Sequence, residues 1–219
     1  MEKREFLLGL FREFGDNAQK ALDFIRRNEG TADTNQQQPL IDFKDFDDGV
    51  YLIYKDGSCM RFDADCPKEG IDHVGVIFSG HKFGVALEDI PEPMQLIRED
   101  VKCEEESRFY RGRECVALQD WGGMANTEHI RQAGTDIELE DGYYIPALAV
   151  LVAICCLTTE GTLNEALEHA GGKPLDMNSW YWSSTETSQN YAWNLGFSHG
   201  YVDGDGKKDS GRVRPVCAF

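Results

Sequence analysis

Positive charge is scarce in this chain. It has 22 Lys and Arg against 39 Asp and Glu, a formal net charge of −17. A nucleic-acid backbone or an anionic membrane would be repelled, so neither is expected as a partner, and the acidity itself reads as solubility. Long apolar runs are missing too. The longest, Tyr143 to Leu157, is broken by Pro146 and falls short of the ~20 residues that span a bilayer. It reads as a buried helix, and membrane insertion is not expected. Met1-Glu-Lys-Arg-Glu5 is followed by a short apolar patch that Arg12 and Glu13 interrupt, with no small-residue cleavage site. That pattern is not a signal peptide, so a virion-associated or cytoplasmic location ranks above Sec export. No Cys-x-x-Cys pair occurs among the 7 cysteines. Cys59 with Cys66, or Cys103 with Cys115, would suit an oxidising compartment; free and mostly buried thiols are the preferred reading.

Catalytic patterns are also absent. Ser183 and Ser184 do not sit in a Gly-x-Ser-x-Gly elbow. His73, His81, His129, His169 and His199 share no motif with a nucleophile, and spacing nominates no carboxylate pair for acid–base work. Asp203-Gly-Asp205-Gly-Lys-Lys-Asp209 resembles a calcium loop, but Arg214 stands where an EF-hand needs its twelfth-position Glu. A polar hairpin tip is the better reading. The chain is expected to be no enzyme and to carry no metal or cofactor.

What is present is organised in three parts. Residues 1–28 read as an amphipathic helix, because Leu7, Phe11, Phe14, Ala18, Ala21 and Ile25 recur at alternating spacings of four and three. That helix either packs on its own chain or zips against copies of itself; the heptads are too few for a firm coiled coil. Residues 29–40 have linker composition. Residues 41–219 form the main domain. Val50 to Tyr54 and Ser58 to Phe62 read as a hairpin turning at Asp56-Gly57, and Val74 to Phe78 and Phe83 to Leu87 as two more strands. The run Cys103 to Arg113 reads as an insertion. Asn126 or Thr127 caps a short helix ending near Gly134, and Pro146 opens another through Leu157. Thr162-Leu-Asn-Glu165 is a capping box, with Gly171-Gly172 as the stop. Strands return at Trp180 to Ser183, Tyr191 to Phe197 and Arg212 to Val216. Short antiparallel strands with two to three helices make an α+β domain.

The last forty residues hold Trp180, Trp182 and Trp193 among many small polar residues. Apolar anchors fix a backbone, while exposed Tyr, Ser, Asn and Gly suit a contact surface. The tryptophans fill the core beneath that surface in the preferred reading and stack on a sugar in the competing one. Arg212 and Arg214 alternate with Val213 and share a face.

Trp180-Tyr-Trp-Ser-Ser-Thr-Glu186, Ala192-Trp193, Phe197, Gly200, Lys207 and Val213-Arg-Pro-Val216 carry a resemblance. Val74 to Phe78, Val85 to Asp89, Asp120-Trp121, Asn126-Thr127, Tyr144-Ile-Pro146 and Leu163 to Gly172 agree with it. Together they resemble the C-type-lectin-like domain of the sulfatase-modifying-factor type, in the branch of variable proteins of diversity-generating retroelements. The likeness covers about residues 48–219. It implies a C-type-lectin-like fold whose C-terminal segment displays a ligand-binding surface, with positions diversified by adenine-directed mutagenesis. The intervals between the fixed residues hold Thr187, Ser188, Gln189, Asn190, Tyr191, Asn194, Gly196, Ser198, His199, Tyr201, Asp203, Gly204, Asp205, Gly206 and Gly211, which become the candidate variable, ligand-binding positions. Trp180, Trp182, Trp193, Phe197 and Arg214 become the scaffold, Arg214 through an ion pair. Relatives with oxygenase activity need a cysteine pair near the end of the domain, and Cys217 stands alone. Calcium-dependent lectins need a Glu-Pro-Asn or Gln-Pro-Asp loop, which is missing.

The expectation is therefore a non-enzymatic recognition protein, an adhesin of phage or bacterial setting, whose partner is a protein or glycan on a cell surface. A homo-oligomer through the N-terminal helix, an enzyme on the same scaffold and a structural subunit are the alternatives.

Overall fold

The computed structural model describes residues 46–101 and 112–218. The expected N-terminal helix, the linker and most of the run Cys103 to Arg113 lie outside those residues.

Strand β1 (Gly49–Tyr54) pairs antiparallel with β2 (Cys59–Arg61) as expected, Ile53 opposite Cys59. Gly57 takes φ +81°, and the Asp56 carboxylate accepts from the Ser58 amide at 2.9 Å. Strands β3 (Ile71–Phe78) and β4 (His81–Val85) form the next hairpin. Its connection is tighter than expected. Only Ser79 and Gly80 turn, both at positive φ, which matches the twist of the flanking strands. The Asp48 carboxylate accepts the Ser79 amide at 2.7 Å.

Four helices are present among the described residues, one more than the upper expectation. They are α1 (Glu114–Ala117), α2 (Gly123–Ala133), α3 (Leu148–Glu160) and α4 (Thr162–His169). Helix α2 starts at Gly123, ahead of the expected caps. Asn126 and Thr127 are interior and buried because their side chains serve other segments: Asn126 donates to Asp120 at 2.7 Å, and Thr127 accepts the Ile145 amide at 2.9 Å. Helix α3 is apolar on nearly all sides and accordingly buried. The capping box before α4 does not form, because Gly161 takes the N-cap position and Thr162 is already helical. The expected stop is real: Gly171 adopts φ +79° while the Gly172 amide donates to Leu167 at 2.9 Å and the Gly171 amide to Glu168 at 3.0 Å. That is the Schellman arrangement.

Strand β5 (Tyr143–Tyr144) and strand β9 (Val216–Cys217) complete a six-stranded sheet ordered β2-β1-β3-β4-β9-β5. The last strand is shorter than the expected Arg212 to Val216, since Pro215 has no amide to donate. Arg212 instead bridges to Tyr181 in the second sheet. That sheet contains β6 (Trp180–Glu186), β7 (Tyr191–Gly196) and β8 (Tyr201–Gly206), all antiparallel. Helix α3 packs on β6, β7 and α4, and α4 packs on β1 and β3, so a helical layer joins the sheets. The main core runs through Leu52, Val74, Leu148, Leu151, Tyr181 and Phe197; a smaller cluster gathers Leu96, Ile130, Ile145, Trp182 and Val213. The domain is mixed α and β with antiparallel sheets and few helices.

No helix among the described residues is long and apolar enough to cross a membrane by itself. The described cysteines are free, and Cys59 and Cys66 do not bridge. Cys66, Cys155 and Cys217 are buried while Cys115 is exposed. Burial pushes the Cys155 thiol up to about 12 and the Cys217 thiol to about 11.

Candidate binding face

Strand β6 is the frame of the C-terminal segment. Ser183, Ser184 and Thr185 are fully buried, yet each hydroxyl has a partner. Ser183 donates to the Trp193 carbonyl at 2.7 Å, Ser184 to the Ile145 carbonyl at 3.0 Å, and Thr185 to the Asp120 carboxylate at 2.8 Å. Asp120 also takes the Gly122 amide and the Asn126 amide group. The serine-threonine run is thus a buried polar seam that ties β6 to the entry of α3. A two-residue excess in β6 between Trp182 and Glu186 opens the ladder and turns this seam inward.

Two ion pairs lock the seam's surroundings. Lys207 bonds the Glu186 carboxylate and the Gln189 carbonyl, and both charged residues are almost wholly buried. Arg214, fully buried, donates to Asp89 at 2.6 Å and to the carbonyls of Ala86 and Lys173. Arg212 reaches the same Asp89 at 3.5 Å and stays partly exposed. Tyr181 donates its phenol to Asp89 at 3.0 Å, and burial holds its pKa well above the ordinary phenol value. Asp176 lies below the usual carboxylate range because the Ser179 hydroxyl and the Asn178 amide bond it.

The candidate contact residues divide between two ends and one face. Thr187, Ser188, Gln189 and Asn190 connect β6 to β7, and Tyr191 follows them. The Lys207 amide donates to Asn190, so the turn after β8 joins this end. Ser198 and His199 lie at the other end of β7, beside Tyr201. Tyr191 pairs with Gly206 whereas Tyr201 pairs with Gly196, and Tyr191 and Tyr201 stand on opposite faces of the sheet by alternation. The continuous surface expected from Thr187 to Gly211 is therefore not formed.

Two of the expected contact residues are inside, and a third, Gly211, is half-buried against Trp182. Asn194 is 4% exposed and its side chain donates to Asp205. Gly196 is buried, and a Cβ there would meet the Trp180 ring at 3.0 Å. A Cβ on Gly211 would lie 2.7 Å from the Trp182 indole nitrogen. All three belong to the frame. The polar stretch expected as a hairpin tip is instead largely strand β8, so Asp203 and Asp205 share one face of it, Asp203 exposed and Asp205 half-buried, and Gly204 and Gly206 lie on the other.

Trp180 moves the opposite way. Expected in the scaffold with Trp182 and Trp193, it is 43% exposed, while Trp182 is buried and Trp193 is half-buried against the main core. The position a Gly196 Cβ would take lies 3.0–3.1 Å from three consecutive atoms of the six-membered indole ring. Such a point sits over the ring centre. The indole therefore lies flat on Gly196 with its other face outward. Directly across from Gly196 is Tyr201, 57% exposed, and His199 stacks beside Tyr201 at 5.7 Å.

No protein-family model matches the chain, and no curated protein matches it. A solved structure does. A fimbrial protein from Bacteroides ovatus is similar with a TM-score of 0.55 and 16% sequence identity, over 80% of this chain and 49% of that one. This chain spans about half the length of that protein. At that identity the likeness is one of fold.

Two clefts among the described residues are larger than the rest of those seen. One, about 490 Å³, opens between α3 and the β7–β8 end, lined by Leu118, Val152, Cys155, Phe197, Tyr201 and Val202 among others. The other, about 430 Å³, is acidic, with Asp72, Glu88, Asp89, Glu138, Glu140 and Tyr143. Sequence reading missed both, since their walls come from distant segments. It also missed Asp89 as the hub of Tyr181, Arg212 and Arg214. The signal available for that was two arginines, Arg212 and Arg214, alternating onto one face.

Proposed function

We propose that this chain is a non-enzymatic recognition protein of C-type-lectin-like fold, adhesin-like in role, reading a protein or glycan ligand on a cell surface with the end of its second sheet. One observation carries the reading. The hydroxyls of Ser183, Ser184 and Thr185, the Glu186 carboxylate and the cations Lys207 and Arg214 are buried and engaged within the domain, while Trp180, Tyr201, His199 and Asp203 beside them are exposed. Side chains that would do chemistry are sealed off; side chains that would make contact face water. Tyr and Trp supply large rigid contact area at small entropic cost, which suits a binding face. The likeness to a fimbrial protein is compatible with display on a cell or virion surface. In this reading the partner is not a nucleic acid and the site holds no cofactor. Diversification, if it operates, falls on exposed positions such as Asn190, Tyr191, Ser198, His199, Tyr201 and Asp203 and spares Asn194, Gly196 and Gly211.

The test is a panel of bacterial cells and arrayed glycans probed with the labelled full chain. Tyr201→Ala with His199→Ala should abolish capture of whichever surface is bound while circular dichroism stays native. Undiminished capture by that folded double variant would move the face elsewhere. Diversification has its own test in the adjoining DNA, where a near-copy of the coding end should differ at adenines only.

A further inference from the structure

We infer that the exposed indole of Trp180 is a stacking platform for a neutral pyranose sugar, bordered by Tyr201, His199 and Asp203. This rests on the recognition reading and names its ligand class.

The geometry comes first. Here the strand opposite supplies Gly196, whose missing side chain lets the ring lie face-down, and the residue keeps 43% of its surface exposed. The aliphatic face of a pyranose ring, with its axial C–H groups, is flat and of matching size, and an aromatic face carries the partial negative charge that such C–H groups meet favourably. By register Tyr201 stands on the same face across Gly196, with His199 stacked beside it, and the two also border the cleft against α3. Hydrogen-bonding groups ring it. The Ser198 hydroxyl lies 2.7 Å from His199 Nδ1, and the Asp203 carboxylate, two residues from Tyr201 on the same face, uses one oxygen on the Gly204 amide. Hydroxyls around a sugar rim require such a border; an apolar peptide does not.

Size and charge then separate the occupants. With Trp180 and Tyr201 each about half exposed, the shelf offers roughly 200 Å² of aromatic surface. A stable protein partner covers about 800 Å² on each side. The shelf fits one or two sugar rings and is small for a protein. Its rim carries Asp203, and the chain as a whole is −17. Arg212, whose amide donates to the Trp180 carbonyl, is held by Asp89 and Asp176. Uronic, sialic and sulfated sugars are therefore disfavoured, and neutral hexopyranosides are selected. Because the contact is stacking, no calcium is needed.

The experiment is titration of the full chain with neutral gluco-, galacto- and manno-configured tetrasaccharides and with a uronic-acid tetrasaccharide, followed by calorimetry and tryptophan fluorescence. At least one neutral oligosaccharide should bind, unaffected by EDTA, and the uronic one should not. Trp180→Ala should weaken binding at least about tenfold, a loss of about 1.4 kcal/mol, and Trp180→Phe should restore most of it. Gly196→Ala, which tips the ring off its seat, should weaken it as well. Failure of every neutral sugar, or binding indifferent to Trp180→Ala in a folded variant, would overturn the proposal. If cell capture then still depends on Tyr201 or on the Thr187 to Asn190 end, the recognition reading stands and only the sugar is wrong. If capture depends on none of them, both fall.

Discussion

One strand holds both kinds of surface, and the contrast runs against polarity. At the far end of β6, Ser183, Ser184, Thr185 and Glu186 are buried; at the near end, Trp180 is exposed. A polar group may be buried at little net loss when every donor and acceptor finds a partner, whereas an unpaired one costs about 1–3 kcal/mol. The seam satisfies that condition through Asp120, Lys207 and the carbonyls before α3. An aromatic ring has no such requirement and can remain outside wherever the opposite strand offers it a seat. Residue type alone therefore does not assign frame and face. What assigns them is whether the partners of each side chain lie within the domain.

The largest way to break this contrast is at the buried pair. Lys207→Met takes the ammonium partner from the almost wholly buried Glu186 carboxylate, which keeps His129 at 3.9 Å. Loss of one member of a buried pair costs about 3–5 kcal/mol. Chemical denaturation should show that loss, and adding Glu186→Leu should recover much of it, because the carboxylate is then gone too. An unchanged midpoint in the single variant would mean that the pair contributes nothing and that the seam is held by its hydroxyls alone.

Next in size is Gly211→Ala. The new methyl would meet Trp182 at 2.7–2.8 Å, and Trp182 is fixed by its own bond to the Met94 carbonyl at 3.0 Å. Overpacking of this kind costs about 1–3 kcal/mol. Gly206→Ala is the control. Its methyl would approach only the Asp209 carboxylate, the far end of a side chain that can swing away. Thermal unfolding should rank Gly211→Ala well below Gly206→Ala; equal effects would place Gly211 with the tolerant positions first assigned to it.

Those glycines show what the sequence could and could not convey. The hairpin at Asp56-Gly57, the stop at Gly171-Gly172 and the apolar α3 were legible because their causes are local. A turn glycine, an αL cap and a run of apolar residues act within a few positions. Strand β8 was not legible: its Tyr-Val-Asp-Gly-Asp-Gly reads as a turn, and pairing with β7 overrides that weak preference. Asn126 looked like a cap because the type fits, but its partner, Asp120, is reached only in the fold. The candidate face was half visible. Of the expected frame, Trp182 is buried and Trp193 half-buried while Trp180 is exposed; of the expected contact positions, Asn194 and Gly196 are buried and Gly211 is packed against Trp182. In each departure the deciding neighbour lies on another strand or beyond.

A subtler contrast concerns two stacked pairs. His81 lies on Trp121 at 3.7 Å with planes 3° apart, within the frame, while His199 and Tyr201 stack loosely at 5.7 Å on the face. Burial lowers the His81 pKa below its ordinary 6.5, against a smaller upward pull from Asp48. A lowered folded pKa means that protons bind the unfolded chain more readily. The contribution of His81 is thus fully present above about pH 6.5 and is lost as pH falls through the folded value. His81→Phe keeps the stack and removes the titration. The wild-type melting temperature should therefore decline more than that of His81→Phe between pH 7 and 5; parallel curves would show that the imidazole gains as good a solvation in the fold as in water.

The smallest stability effects should come from the two exposed tyrosines, and they separate the two ends of the second sheet. Tyr191 is 50% exposed and Tyr201 57%. Surface substitutions of this kind usually stay within about 0.5 kcal/mol, so both alanine variants should melt close to the wild type. Ligand capture should nonetheless differ. Tyr201 shares its face with Trp180 and His199, whereas Tyr191 stands at the opposite end and on the opposite side of β7. Tyr201→Ala should lower capture and Tyr191→Ala should leave it intact. The reverse result, with both variants folded, would transfer the binding face to the Thr187 to Asn190 end, where the loop is held from beneath by the Lys207 contact with Gln189. Equal losses would require a ligand large enough to wrap the sheet edge and touch both ends, larger than the one or two sugar rings that Trp180 seats.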